Sequence, residues 1–129
     1  MESALRALLA SYAPLTALVG GSGTPRIVWN HLPQETTDPA VVLYKVSGAR
    51  GHTFEAPDRL SQNVVQIDVR ALTVNSMWAV RDAIVAKLDG HRDTAFRGIF
   101  LRSERQTSEK PGTVLYHRAS LDFEVWHRT

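Results

Sequence analysis

The sequence contains no cysteine. That absence excludes a disulfide framework, a thiolate zinc site and any thiol nucleophile, and it fits a reducing compartment or indifference to redox state. Long apolar runs are missing too. No stretch approaches the roughly 20 consecutive apolar residues that a helical membrane span requires. The first fifteen residues, MESALRALLASYAPL, lack the basic start of a signal peptide, and Arg6 interrupts their only apolar run. Synthesis and folding in the cytosol are therefore expected, with no membrane partner. An excess of charge is lacking as well: 15 Lys and Arg stand against 13 Asp and Glu, a formal net charge of +2. The small basic surplus falls late, at Arg97, Arg102, Arg105 and Lys110. This is not the concentrated stripe of a dedicated DNA-binding domain.

What is present is an ordinary globular composition, 43% apolar and 22% charged over 129 residues, a length that suits one domain spanning residues 1–129. No repeat or low-complexity segment divides it. Leu5, Leu8, Leu9 and Tyr12 recur at helical spacing and predict a helix over 3–13. Pro14 can open a second short turn carrying Leu15, Leu18 and Val19, and the glycines at 20–23 end it. Residues 26–29 read as an edge strand, 30–40 as a polar loop and 41–47 as a strand. Residues 48–61, with Gly51 and Pro57, read as a long polar connection.

Residues 63–72 alternate: Val65, Ile67, Val69 and Ala71 on one side, Gln66, Asp68 and Arg70 on the other. That is a strand with one buried face. Asn75 or Ser76 can cap a helix running to about residue 89, with Met77, Val80, Ala83, Ile84 and Leu88 as its stripe and Gly90 as its left-handed stop. A short strand at 98–103 turns Ile99 and Leu101 inward, and 105–112 reads as a charged turn. The last strand, 113–127, places Leu115, Ala119, Leu121, Phe123 and Val125 on one face. The expected fold is α+β: an antiparallel or mixed sheet of four to five strands with two amphipathic helices on one face.

Chemistry is hard to find. His31, His52, His91, His117 and His127 are scattered, and the last two, though on one strand, lie roughly 33 Å apart at strand rise. No close-spaced ligand set exists, so no metal or cofactor is expected. The glycines at 20–23 follow a helix rather than a strand and lack a lysine after them, so a flexible helix exit is a better reading than a phosphate cradle. Asp122 and Glu124 sit two apart on one strand face, the pattern of cross-strand ion pairing on a solvated or partner-facing sheet surface rather than of a catalytic carboxylate pair. No serine-nucleophile motif occurs, and no enzyme is expected. Trp126 falls opposite the core face, where a covering element or an interface could take it, and Trp78 is expected at the core edge.

The order and spacing of several segments resemble one family. They are ALRALLASYAPLTALVGG at 4–21, LPQE at 32–35, VVQIDVRAL at 64–72, LDG at 88–90, GIFL at 98–101 and LYHRASLDFEVWHR at 115–128. Over nearly its whole length the chain resembles the tail completion, or tail terminator, proteins of long-tailed phages and phage-like gene transfer agents. The resemblance implies a subunit of a ring, commonly a hexamer, on the head-proximal end of the tail tube. There it would stop tube polymerisation and join tail to head, in a particle assembled in the bacterial cytoplasm. Its expected partners are other copies of itself, the tail tube protein and head–tail connector proteins, with DNA only passing through the lumen. The family carries no catalytic residues. Candidate partner contacts are Arg50, His52, Phe54 and Arg59 in the 48–61 connection, Arg105 and Lys110 in the later turn, and Trp126. The alternative reading is a small nucleic-acid-binding module using Arg50, Arg59, Arg105 and Lys110, which the near balance of charge disfavours.

Overall fold

A computed structural model describes residues 2–20, 26–30, 39–52, 57–110 and 115–128, and within these the side chains at 2, 47–52, 57–61, 109 and 128 are not described. Among the described residues the elements run α1 (Glu2–Ala10), α2 (Ala13–Val19), β1 (Ile27–Trp29), β2 (Ala40–His52), β3 (Pro57–Ala71), α3 (Val74–Leu88), β4 (Phe96–Glu109) and β5 (Tyr116–Arg128). The strands form one mixed sheet in the order β1-β2-β3-β5-β4. Only the β1–β2 pair is parallel; β2–β3, β3–β5 and β5–β4 are antiparallel. β3 and β4 therefore run the same way with β5 between them, and α3 is their crossover. The expected α+β class holds, with three helices where two were expected.

The period-two alternation of β3 and β5 explains the core. Val65, Ile67 and Val69 oppose Phe123, Leu121 and Ala119 across the ladder, and all six are fully buried. Val41 and Leu43 of β2 and Ile99 of β4 continue that face. The helices cover it. Met77, Val80, Ile84 and Leu88 of α3 recur at helical spacing and are buried, as are Leu5 and Leu9 of α1 and Leu15 and Val19 of α2. The Arg6 Nε–H donates to the Ile27 carbonyl at 2.9 Å and ties α1 to the β1 edge.

Helix ends follow local chemistry with one correction. Gly20 closes α2 at φ 114° and Gly90 lies just past α3 at φ 80°, left-handed positions where a Cβ would be strained. The cap of α3, however, is Thr73 rather than Asn75 or Ser76: its extended backbone lets Oγ1 accept from the Ser76 N–H at 3.1 Å. The helix starts earlier than its apolar stripe, at Val74.

Three further expectations need correction. The 48–61 connection is mostly strand: β2 runs on to His52 and β3 begins at Pro57, with register pairs down to His52↔Pro57. Residues 53–56, including Phe54, lie outside the described residues. The charged turn at 105–112 is strand as far as Glu109, paired to Tyr116. In both places a backbone ladder holds the chain where the sequence has few apolar residues, so hydrophobic periodicity carries no signal. Leu115 is not inward. It precedes β5 and is 48% exposed, while its neighbour Tyr116 is buried on the opposite face, under the Arg70 guanidinium at 3.8 Å from the ring centroid.

Candidate interaction surface

The helices lie on the core side, and no described element covers the other face of the sheet. Many of its residues are polar, and these are held in place. Asp68 is only 6% exposed; its carboxylate accepts from the Gln66 amide at 2.9 Å and lies 3.7 Å from Arg118 Nε. The Ser103 hydroxyl donates to Asp122 at 2.9 Å. Glu124 Oε1 accepts from both Gln62 Nε2, at 2.8 Å, and the Trp126 indole N–H, at 2.9 Å. Asp122 and Glu124 are thus engaged in cross-strand hydrogen bonds to neutral partners, Ser103 and Gln62, where ion pairs were expected.

Edge strand β4 is half closed. The connection after α3 folds along it: the Gly90 N–H donates to the Ile99 carbonyl at 2.7 Å, the Ile99 N–H to the His91 carbonyl at 3.2 Å, and the Leu101 N–H to Asp89 Oδ1 at 3.0 Å. Asp93 holds the bend. Its Oδ1 accepts from the Ala95 and Phe96 amides at 2.7 and 2.8 Å, and its Oδ2 lies 2.8 Å from His91 Nε2. Partial burial disfavours the charged carboxylate, yet the bonds from His91, Phe96 and Ala95 together outweigh it and lower the Asp93 pKa below the ordinary aspartate value. Beyond Leu101 the strand opens, and residues 102–108 are all exposed. Side chains of α3 reach it there. Arg81 bonds Asp82 at 2.8 Å and Glu104 at 3.1 Å, and the Trp78 indole donates to Gln106 at 3.2 Å. The bonds to Asp82, opposed by partial desolvation and joined by Glu104, raise the Arg81 pKa.

A cleft of about 560 Å³ opens on the uncovered face at the closed end of β4, lined by Arg92, Arg97, Gly98, Phe100 and Trp126. Two register shifts in β4, at Arg97 and Arg102, twist this edge. Gly98 pairs with Trp126 across the ladder. A Cβ on Gly98 would stand 2.7 Å from Phe100 Cε2, so the Phe100 ring rests over the glycine beside the indole. Phe100 nevertheless remains 47% exposed. Neither Arg92 nor Arg97 has an ion pair among the described residues, and Arg102, Arg105 and Lys110 also lack one. The cleft is therefore an aromatic floor with two available cations at its rim. It can take an apolar group flanked by negative charge.

The candidate contacts scatter relative to this cleft. Trp126 lines it. Arg105 pairs with Ser120, about 23 Å along the strand from Gly98, and Lys110 follows the far end of β4. Arg50 and His52 lie in β2 and Arg59 in β3 by backbone, and their side chains, like all of Phe54, fall outside the described residues. Of the histidines, His91 and His127 both pack against the Phe96 ring, at 6.5 and 5.3 Å between centroids, and no group of three His, Cys, Asp or Glu suited to a metal occurs among the described residues. Sequence reasoning missed Arg92, Arg97, Gly98 and Phe100. A signal was available: with Ile99 and Leu101 inward, Gly98 and Phe100 must face outward, on the side assigned to Trp126.

Comparison with known proteins places this architecture. No curated protein matches the chain in sequence. Among solved structures, a chain of the "Virion of native gene transfer agent (GTA) particle" superposes with a TM-score of 0.71 over 100% of this chain and 95% of that one, at 18% identity. That likeness is one of fold. The sequence model described as "Tail completion protein gp17" matches residues 3–128, nearly every residue of the chain. This chain belongs to the tail completion protein gp17 family, and its role is a structural one in a phage tail.

Proposed function

We propose that this protein caps the head-proximal end of a phage or phage-like tail tube, stops its polymerisation and joins it to the head. The observation that carries the reading is the family match over residues 3–128. The architecture supports it. One face of the sheet is closed by helices around the core, while the other is left open by the described elements and held by its own hydrogen bonds. A surface that is ordered before it meets a partner loses little conformational entropy on docking. Copies of the chain form a closed ring, a hexamer in the particle, in which each subunit presents different patches to its two neighbours. The ring's other partners are the last ring of the tube and the connector, and DNA passes through its lumen. Free subunits stay monomeric where the interface between neighbours is modest and the tube is absent as template.

The test is genetic. Removing the gene from its particle leaves filled heads, detached tails and some tubes of uncontrolled length, seen by electron microscopy. Normally joined tails after deletion, or a block in DNA packaging with tails finished normally, would overturn the reading.

A further inference from the structure

The five-stranded sheet ends in two unlike edges. β1 is three residues long, and its Ile27 carbonyl is taken by the Arg6 side chain at 2.9 Å. β4 is fourteen residues long and pairs on one side alone, with β5. The connection after α3 closes its outer edge from Ile99 to Leu101, through the Gly90 amide, the His91 carbonyl and the Asp89 carboxylate. From 102 to 108 no described backbone group bonds that edge, and every residue is exposed. In an antiparallel ladder alternate residues turn their N–H and C=O away from the neighbouring strand, so this run presents a template for a further strand.

The side chains along the run define what fits there. Register sets Ser103, Arg105 and Thr107 on the open face, opposite Asp122, Ser120 and Arg118. Glu104 and Gln106 lie on the helix side, opposite Leu121 and Ala119. The carboxylates are engaged: Glu104 by Arg81 and Gln106, Asp122 by Ser103. Arg102 and Arg105, by contrast, have no ion pair among the described residues. On the helix side the Trp78 indole bonds Gln106 and stays 42% exposed beside the strand. A second copy is a poor occupant. Two such edges paired about a twofold axis at the middle of the run would set Arg105 against Arg105, and like charges directly opposite destabilise a ladder. The charges that discourage a like edge attract an unlike one.

We propose that residues 102–108 of β4 take up, as an added strand, an extended segment of a different protein in which acidic residues alternate with apolar ones. Its backbone extends the ladder, its carboxylates meet Arg102 and Arg105, and its apolar side chains cover the exposed part of Trp78. One segment serves both contacts because successive side chains of a strand point to opposite faces. The edge is complete in a single chain, so the inference goes beyond the tail-capping reading and does not depend on it.

The probe is the blocked peptide acetyl-Thr-Glu-Val-Glu-Leu-Glu-Thr-amide, titrated into the purified chain while amide exchange is followed by NMR. Exchange is expected to slow at alternate residues of 102–108, with a shift of the Trp78 indole resonance. The same peptide with Lys in place of Glu should not bind. Nor should the acidic peptide with methylated backbone amides, which keeps the charges and loses the donors. Arg105→Glu, at an exposed position, should leave the melting temperature unchanged, weaken the acidic peptide about three- to tenfold and admit the lysine peptide. Trp78→Ala should weaken the acidic peptide without admitting the lysine one. No binding, equal binding of the two peptides, or binding with exchange at 102–108 unchanged overturns the proposal. So does protection of 102–108 that grows with protein concentration alone, which makes a second copy the occupant. A duplex DNA oligonucleotide that shifts these residues where the acidic peptide does not would make the edge a phosphate surface and overturn it equally.

Discussion

Leu121 and Asp122 are adjacent on β5, and their contrast tests the register of the whole sheet. Leu121 is fully buried between Ile67 of β3 and Glu104 of β4, at the centre of the helix-covered face. Asp122 points the other way and accepts one hydrogen bond, from Ser103. Leu121→Ala removes the packing of a buried leucine and leaves a cavity, at a cost of about 2–5 kcal/mol. For a chain of this size each kcal/mol lowers Tm by about 3–5 °C, so a fall of about 6–25 °C is expected. Leu121→Asp is more severe. It places an unpaired carboxylate in an apolar interior, at a further cost of several kcal/mol, comparable with the total stability of a small domain, and should leave no cooperative transition. Asp122→Ala loses one exposed hydrogen bond, about 1 kcal/mol or less. Differential scanning calorimetry of the three variants decides the matter. If Leu121→Asp and Asp122→Ala melted together, the assignment of β5 to inner and outer faces would be wrong.

Two further outcomes follow from local chemistry. Thr73→Ala removes the side-chain cap of α3 and should lower stability by about 1 kcal/mol by urea titration, whereas Asn75→Ala should change little, because Asn75 does not cap the helix. Asp93 has a folded-state pKa below its ordinary value, so its contribution is present above the unfolded aspartate pKa of about 3.9 and fades as pH falls through the folded value. Asp93→Asn should therefore flatten the stability profile below about pH 4, and should increase amide exchange at Ala95 and Phe96, whose N–H groups it holds. An unchanged acid limb would count against the carboxylate as the fastening of that bend.

How much was legible in the sequence varied with what held each segment. The central strands were read correctly in phase because burying one face of a sheet forces alternation, and Val65, Ile67, Val69, Leu121, Phe123 and Val125 obey it. The ends of the strands were read as loops. Residues 48–52, 57–61 and 104–109 are extended because backbone groups pair with a neighbouring strand, and that pairing leaves no trace in side-chain pattern. Leu115 misled for the opposite reason: an apolar residue in phase with the buried run from Ala119 looks continuous with it, yet the strand begins only at Tyr116.

By itself the sequence determined the α+β class, the inward faces of β3 and β5, the stripe of α3 and the glycine stops at 20 and 90. These depend on burial periodicity and on backbone sterics, both local along the chain. The family, too, was legible in the order of short segments. Only the tertiary structure decided which strands are neighbours and which are edges. It brought Arg92, from the connection after α3, beside Arg97, Gly98 and Phe100 of β4 and Trp126 of β5. It also showed that Asp122 and Glu124 are engaged, whereas the arginines of the β4 edge have no ion pair among the described residues. Pairing between distant strands is a long-range choice among near-equivalent ladders, settled by the packing of the whole sheet rather than by any one segment.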